Sequence, residues 1–186
     1  MINPETPKID AAEFATRRAR AVEFARRRGL KGLLVCARGG GTLDRYADVL
    51  YLTNFYTPFP YIPDLPGNWT ARAHTFFVLP VDGDPTLIID VPNDGRIQLP
   101  QDRLVYTDLV VESTIKAMKD SGLDKGPIGL VGGEALPSTT YRQLAAALEG
   151  VEWRDAQDIL AELRMIKSPG EIALLRRAAQ VGSRTI

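Results

Sequence analysis

With 186 residues the chain has room for one domain with its own core and is short for two of ordinary size. Its 23 Lys and Arg balance 23 Asp and Glu, which removes any whole-chain pull toward nucleic acid or an acidic membrane, and 45% hydrophobic with 25% charged residues is ordinary for a soluble globular protein. The lone Cys36 excludes an internal disulfide framework, no apolar run is long enough for a membrane span, and the N-terminus lacks a signal-peptide pattern, so a cytoplasmic protein is expected.

The spacing of Phe14, Ala21, Val22 and Ala25 predicts a first helix over 10–28, ended by Gly29. Between Arg17 and Lys31 seven basic residues stand against one acid, Glu23. With zero net charge over the whole chain, this run reads as a solvated helix face with last-turn arginines at the negative end of the helix dipole, not as a nucleic-acid or phospholipid patch. Gly32 to Ala37 is a continuous apolar run, the pattern of a strand buried on both faces. The glycine-rich Arg38 to Thr42 that follows lacks the Gly-Lys-Ser/Thr ending and the G-x-G-x-x-G spacing of phosphate loops, and reads as a flexible loop. Val49 to Thr53 reads as a short extended or buried segment.

Prolines at 58, 60, 63 and 66 keep residues 54–69 out of helix and central strand, leaving a long loop that carries Phe55, Tyr56, Phe59, Tyr61 and Trp69. These aromatics either dock onto another surface or fold back as a local core. Ala73 to Leu79 and Thr86 to Asp90 predict a β-hairpin. His74, the only histidine, reads as structural or rim-lying, because no cluster of further ligands accompanies it. A polar connector follows, then a helix through Val111, Ile115 and Met118, a buried strand at 127–131, and a helix capped by Ser138 with Tyr141, Leu144, Ala145 and Leu148 on its apolar face. A short strand at 151–153 and a short helix capped by Asp155 complete the domain. The expected fold is α/β, a mixed sheet with a central β-hairpin and helices covering it.

Ser168-Pro169-Gly170-Glu171 carries a capping box, which starts a last helix with Ile172, Leu175, Ala179, Gly182 and Ile186 on one stripe. No stop signal follows, so the chain is expected to be a piece of something longer, with residues from Arg176 onward frayed or packed on another chain. No self-contained catalytic or metal centre is predicted: H-E-x-x-H, Cys-x-x-Cys and G-x-S-x-G are missing, and Cys36 lies in an apolar strand.

Leu163 to Ala178, LRMIKSPGEIALLRRA, closely resembles the linker and first helix before the pita-bread catalytic domain of the creatinase, prolidase and aminopeptidase P family. Tyr51-Leu52-Thr53-Asn54-Phe55 is similar to that family's Tyr-Leu-Thr-Gly-Phe segment, with Asn54 where Gly is usual. The resemblance implies a ribonuclease-H-like creatinase/prolidase N-terminal domain over 1–160, followed at 161–186 by a linker and the first helix of a missing catalytic domain. It implies a non-catalytic role, in oligomerisation (a dimer, with the chain's own catalytic domain as its other partner) and in shaping the substrate site of a neighbouring subunit. Phe59, Tyr61, Trp69 and Arg72 are the substrate-contact candidates it suggests, Arg72 loosely because Ile62 stands near where an arginine is usual. No cofactor is expected in residues 1–186, and a divalent metal (Mn, Co or Zn) is expected in the catalytic domain of peptidase members. A stand-alone binding module gripping a partner through loop 54–69 is the alternative.

Overall fold

The computed structural model describes residues 7–39, 46–60, 62, 73–92 and 95–184. The first helix, α1 (Ala11–Arg27), starts where the Asp10 carboxylate accepts the Ala12 N–H at 3.0 Å, and Gly29 follows it in the left-handed conformation at φ 68. Strand β1 (Gly32–Arg38) then crosses the middle of the molecule. Helix α2 (Ala47–Thr53), β2 (His74–Pro80), β3 (Thr86–Ile89), β4 (Leu104–Tyr106), α3 (Val110–Asp120), β5 (Lys125–Val131), α4 (Ser138–Ala147), β6 (Gly150–Asp155), α5 (Gln157–Met165) and α6 (Pro169–Gly182) complete the order.

The six strands form one mixed sheet, β4-β3-β2-β1-β5-β6. β2 is antiparallel to both β1 and β3, while β1–β5, β3–β4 and β5–β6 are parallel. The hairpin is therefore set into an otherwise parallel sheet. The two-residue period of a strand sorts β1 into two cores. Leu33, Val35 and Ala37 face α1, α2 and α5, where Ala21, Ala25, Leu52, Ile159 and Leu160 meet them, whereas Leu34 and Cys36 face α3 and α4 through Met118, Leu144 and Leu148. Burying each such Leu, Ile or Phe stabilises the fold by about 1.5–3 kcal/mol, which is why an unbroken apolar run could be read as a central strand.

Several expectations are corrected. Val49 to Thr53 is buried but helical, not extended: the Thr53 hydroxyl donates to the Val49 carbonyl at 2.7 Å, and burial of Val49, Tyr51 and Leu52 outweighs the modest β preference of these residues. The polar connector contains strand β4, whose Leu104, Val105 and Tyr106 pair with Leu87, Ile88 and Ile89 on the free edge of β3. Three residues are too few to show a period. Ser138 is the first residue of α4 and makes no capping bond, and that helix buries Thr140 and Leu144 while Tyr141 is exposed.

Helix α6 differs most. The capping box is complete, the Ser168 hydroxyl accepting the Glu171 N–H at 3.1 Å and the Glu171 carboxylate accepting the Ser168 N–H at 2.8 Å. The helix does not fray at Arg176 but continues to Gly182, and it buries no residue. On its predicted apolar stripe Ile172 is 37% and Leu175 56% exposed, while Glu171, Leu174 and Leu175 line a cleft against α1 and α2. Ile186, the last member of that stripe, lies outside the described residues.

Candidate functional site

The surface built from α1, α2 and the connector after α5 begins with a buried charge. Arg17 lies between Phe14 and Ala21 on the core-facing side of α1, and it is only 6% exposed. A buried guanidinium is tolerated only when its donors are used. Arg17 Nη1 donates to the Tyr51 carbonyl at 3.0 Å, Nη2 pairs with Glu13 one turn earlier and lies 3.3 Å from Glu171 Oε1, and the guanidinium carbon stands 4.2 Å from the Tyr51 ring centroid and 5.0 Å from that of Phe14. Arg18 Nη1 donates to the Leu52 carbonyl at 2.8 Å and the Gln98 carbonyl at 3.0 Å.

These bonds close the accounts of α2. Its last turn leaves carbonyls without helical partners. Leu50 O accepts from Asn54 N, Tyr51 O from Arg17, Leu52 O from Arg18, and Thr53 O from Gln98 N. Two cations at the negative end of a helix dipole add to the hydrogen bonds. Asn54 then reverses the chain at φ 59, ψ 20, the left-handed region where Gly is easiest and Asn is the common substitute, which is the physical reason Asn can stand where the resembled segment has Gly.

A second set of bonds reaches the connector. Asp48 Oδ1 accepts from Arg164 at 2.8 Å and its Oδ2 from Gln157 at 2.9 Å, while the Gln157 side-chain oxygen accepts the Gly132 N–H at 2.7 Å. The Tyr51 hydroxyl donates to the Leu163 carbonyl at 3.2 Å. Burial raises the Tyr51 phenol above its ordinary value, and the nearby Arg17 charge works against that shift. Between α1, α2 and the first turns of α6 an apolar cleft of about 490 Å³ remains, lined by Phe14, Leu50, Tyr51 and Leu174 with Arg17 and Glu171 beside them. Arg17 faces Glu171 across it, and Arg164 and Lys167 line its rim, so the cleft suits packing of an apolar group.

The loop after Asn54 divides. Phe55 and Tyr56 turn inward and meet the buried Tyr46 ring edge to face at 6.1 and 5.6 Å, which makes a local core, whereas Phe59 is 52% exposed. Gly39 explains how the loop is held: a Cβ there would lie 2.0 Å from the Phe59 carbonyl oxygen and 2.6 Å from the Ala73 Cβ, and its N–H donates to the Ala73 carbonyl at 2.7 Å. The first glycine of the Gly-rich run thus serves close backbone approach. Of the four substrate-contact candidates Phe59 is described, and Tyr61, Trp69 and Arg72 lie outside the described residues.

His74 is buried and structural. Its backbone N–H donates to Asp90 Oδ2 at 3.1 Å, its Nδ1 lies 3.5 Å from the same oxygen, and its ring stacks on Phe76. Burial pushes the Cys36 thiol far above its ordinary range, and does the same to the Tyr46 phenol, so neither is an available nucleophile. Among the described residues no three His, Cys, Asp or Glu side chains are grouped to hold a metal ion. The sequence places Arg17 in the basic run and Glu171 in the capping box, and by itself assigns neither of them, nor Asp48, to this site. The available signal was a charge on an apolar stripe, Arg17 standing three residues after Phe14 and four before Ala21.

The family model of the Creatinase/Prolidase N-terminal domain matches residues 17–166. Among solved structures the chain is similar to a dipeptidase from Pyrococcus horikoshii OT3 (TM-score 0.66, 13% identity, covering 90% of this chain and 42% of that one). It is also similar to the dipeptidase PepE from Mycobacterium ulcerans (TM-score 0.61, 23% identity, 89% and 40%). A third is the N-terminal domain of the cytoplasmic peptidase PepQ from Mycobacterium tuberculosis H37Rv (TM-score 0.56, 19% identity, 80% and 98%). At these identities the likeness is one of fold. The chain spans about two fifths of the length of the two dipeptidases and nearly all of the separate N-terminal domain. No curated protein is matched by its sequence.

Proposed function

This chain belongs to the creatinase/prolidase N-terminal domain family, and from that premise we propose that it is the non-catalytic N-terminal domain of a metal-dependent Xaa-Pro peptidase or creatinase-like hydrolase. In this reading residues 1–160 are the domain proper and 161–186 the linker and first helix of the catalytic domain. The observation that carries it is α6, a capped helix of 14 residues that buries nothing and presents Ile172, Leu175 and Val181 to solvent. A helix of that length is marginal in water on its own, so a further surface is expected over the apolar face. Leu163 still packs in the core, so the chain leaves the domain at the turn from Met165 to Ser168.

Oligomerisation, with a dimer as the expected form, and a contribution to a neighbouring subunit's substrate site are part of the same proposal. Phe59, Tyr61, Trp69 and Arg72 are the residues assigned to that contribution. It is supported by the exposure of Phe59 between Pro58 and Pro60, which stiffen the loop. The divalent metal is assigned to the catalytic domain, and no step is assigned to it here. The cytoplasm is the proposed location; among the described residues no helix is long and apolar enough to cross a membrane.

The test compares residues 1–186 with the longer protein encoded by the gene on Xaa-Pro dipeptides with Mn²⁺ or Co²⁺. Hydrolysis by the longer form alone is expected, and hydrolysis by the 186-residue chain would overturn the proposal. The exposed Phe59 also favours a second reading, a stand-alone module that grips a partner through loop 54–69. A reading frame that stops at Ile186 would decide for that module.

A further inference from the structure

We infer that Arg17 is a positioning residue: its ion pair with Glu171 fixes the direction in which α6 leaves the domain. Resting on the function just proposed, this also fixes how the catalytic domain is presented to the loop that begins at Asn54.

Three observations meet at this guanidinium. It is buried on the core side of α1, an expensive place for a charge, and besides Glu13 on its own helix it reaches two further elements: the Tyr51 carbonyl of α2 and the Glu171 carboxylate of α6. Glu171 in turn uses its other oxygen on the Ser168 N–H, so the carboxylate that meets Arg17 is the one that completes the α6 capping box. Beyond this first turn α6 has no buried residue to hold it, and Gly170 sits close to α1, where a Cβ would come within 3.2 Å of the Ile9 side chain and 3.4 Å of a Glu13 oxygen.

The geometry rules out a purely local role for Glu171. A capping box needs only one oxygen from the third helical residue, and Glu and Gln both supply it. The second oxygen, 3.3 Å from Arg17, serves orientation. Arg17 likewise exceeds what capping of α2 needs, since one Nη already satisfies Tyr51 O. The neighbouring Asp48–Arg164 pair holds the end of α5 and leaves the turn from Met165 to Ser168 between two anchors, so α6 can swing about that turn only if Arg17 releases Glu171.

Glu171→Gln separates orientation from capping, because the amide oxygen still accepts the Ser168 N–H while the charge facing Arg17 is gone. Backbone hydrogen exchange on the 186-residue chain is the readout. The α6 amides should exchange about fivefold faster on loss of this partly buried ion pair, while β1 and β5 keep their protection. Arg17→Met should release α6 to the same extent, with some added loss of global stability from the uncapped Tyr51 carbonyl, and the double variant should release it no further than either single one. Unchanged α6 exchange in Glu171→Gln, or additive effects in the double variant, would overturn the inference. In the longer protein Glu171→Gln should raise KM for an Xaa-Pro dipeptide more than it lowers kcat. Faster α6 exchange in a protein that proves not to be a hydrolase would leave the clasp standing and remove only the catalytic reading.

Discussion

Three glycine-to-alanine substitutions separate backbone strain from close approach. Gly29 has φ 68 with nothing within 4 Å of a built Cβ, so Gly29→Ala carries only the left-handed conformation, about 1–2 kcal/mol, partly offset by about 0.4–1 kcal/mol from the stiffer unfolded chain. Gly39 has no such φ, but its Cβ would lie 2.0 Å from the Phe59 carbonyl oxygen, against ordinary contact at 3.4–4 Å, and overpacking of that kind costs about 1–3 kcal/mol. Gly132 combines both: φ 73, and a Cβ 2.2 Å from the Cys36 carbonyl oxygen in central strand β1, which is held between β2 and β5 and cannot easily yield. Summing the two terms, with the same unfolded-chain offset, puts Gly132→Ala at about 1–4.5 kcal/mol, above Gly29→Ala at roughly 0.5–1. Urea denaturation followed by circular dichroism measures the series, with midpoints compared at a common slope. Should Gly132→Ala fall within about half a kcal/mol of Gly29→Ala, the close approach of β5 to β1 would be refuted as the reason for that glycine.

Cys36 should be silent to a thiol reagent in the native protein and react once in urea, because burial pushes its thiol far above the usual range; rapid labelling of the native chain would show the strand to be open. The Asp158 carboxyl is held below the ordinary carboxylate range, chiefly by its hydrogen bond from Arg28 at 2.5 Å. A lowered folded-state value means that the pair's contribution is present above the unfolded carboxylate range and is lost as pH falls through the folded one. Both side chains are largely exposed, so Asp158→Asn should cost only about 0.5 kcal/mol at neutral pH and low salt, and converge with the parent chain in strong acid. An equal deficit at both ends of the pH range would remove the ion pair as its cause. Asn54→Gly should cost no more than about 0.5–1 kcal/mol, the exposed side-chain bond to the Arg96 carbonyl, whereas Asn54→Val should lose that bond and about 1–2 kcal/mol more, since a β-branched residue resists φ 59; equal effects would mean that the turn is not held there.

What was legible followed from periods and punctuation. Residues 32–37 announced a central strand because both faces of β1 are apolar, and Ser168 to Glu171 announced a helix start because capping chemistry is local. The illegible parts were those where a tertiary partner decided. Residues 49–53 had no period to separate strand from helix, and β4 exists because β3 offers an unpaired edge. For α6 the start and the period are legible, whereas its length is not: the helix continues past Arg176 to Gly182 without a buried residue. The sequence alone does not separate docking from local core for the aromatics of loop 54–69; among the described ones, Phe55 and Tyr56 pack against Tyr46 and Phe59 is exposed.

The basic run from Arg17 to Lys31 shows most clearly how position within a helix sets what a charge can do. Arg26, Arg27 and Arg28 sit in or just past the last turn of α1 and pair with Asp82, Glu23 and Asp158 near solvent, where an ion pair contributes little. Arg17 is on the core stripe, so its charge had to be answered by Tyr51 O and two carboxylates, and Arg18 beside it takes the next two acceptors, Leu52 O and Gln98 O. One helix of the domain thereby holds the base of the loop that carries Phe59 and, through Arg17, the start of the outgoing helix. The Arg17 guanidinium thus joins the Asp48–Arg164 pair and the bond from the Tyr51 hydroxyl to Leu163 O in tying α2 to the connector, whatever surface finally covers Ile172 and Leu175.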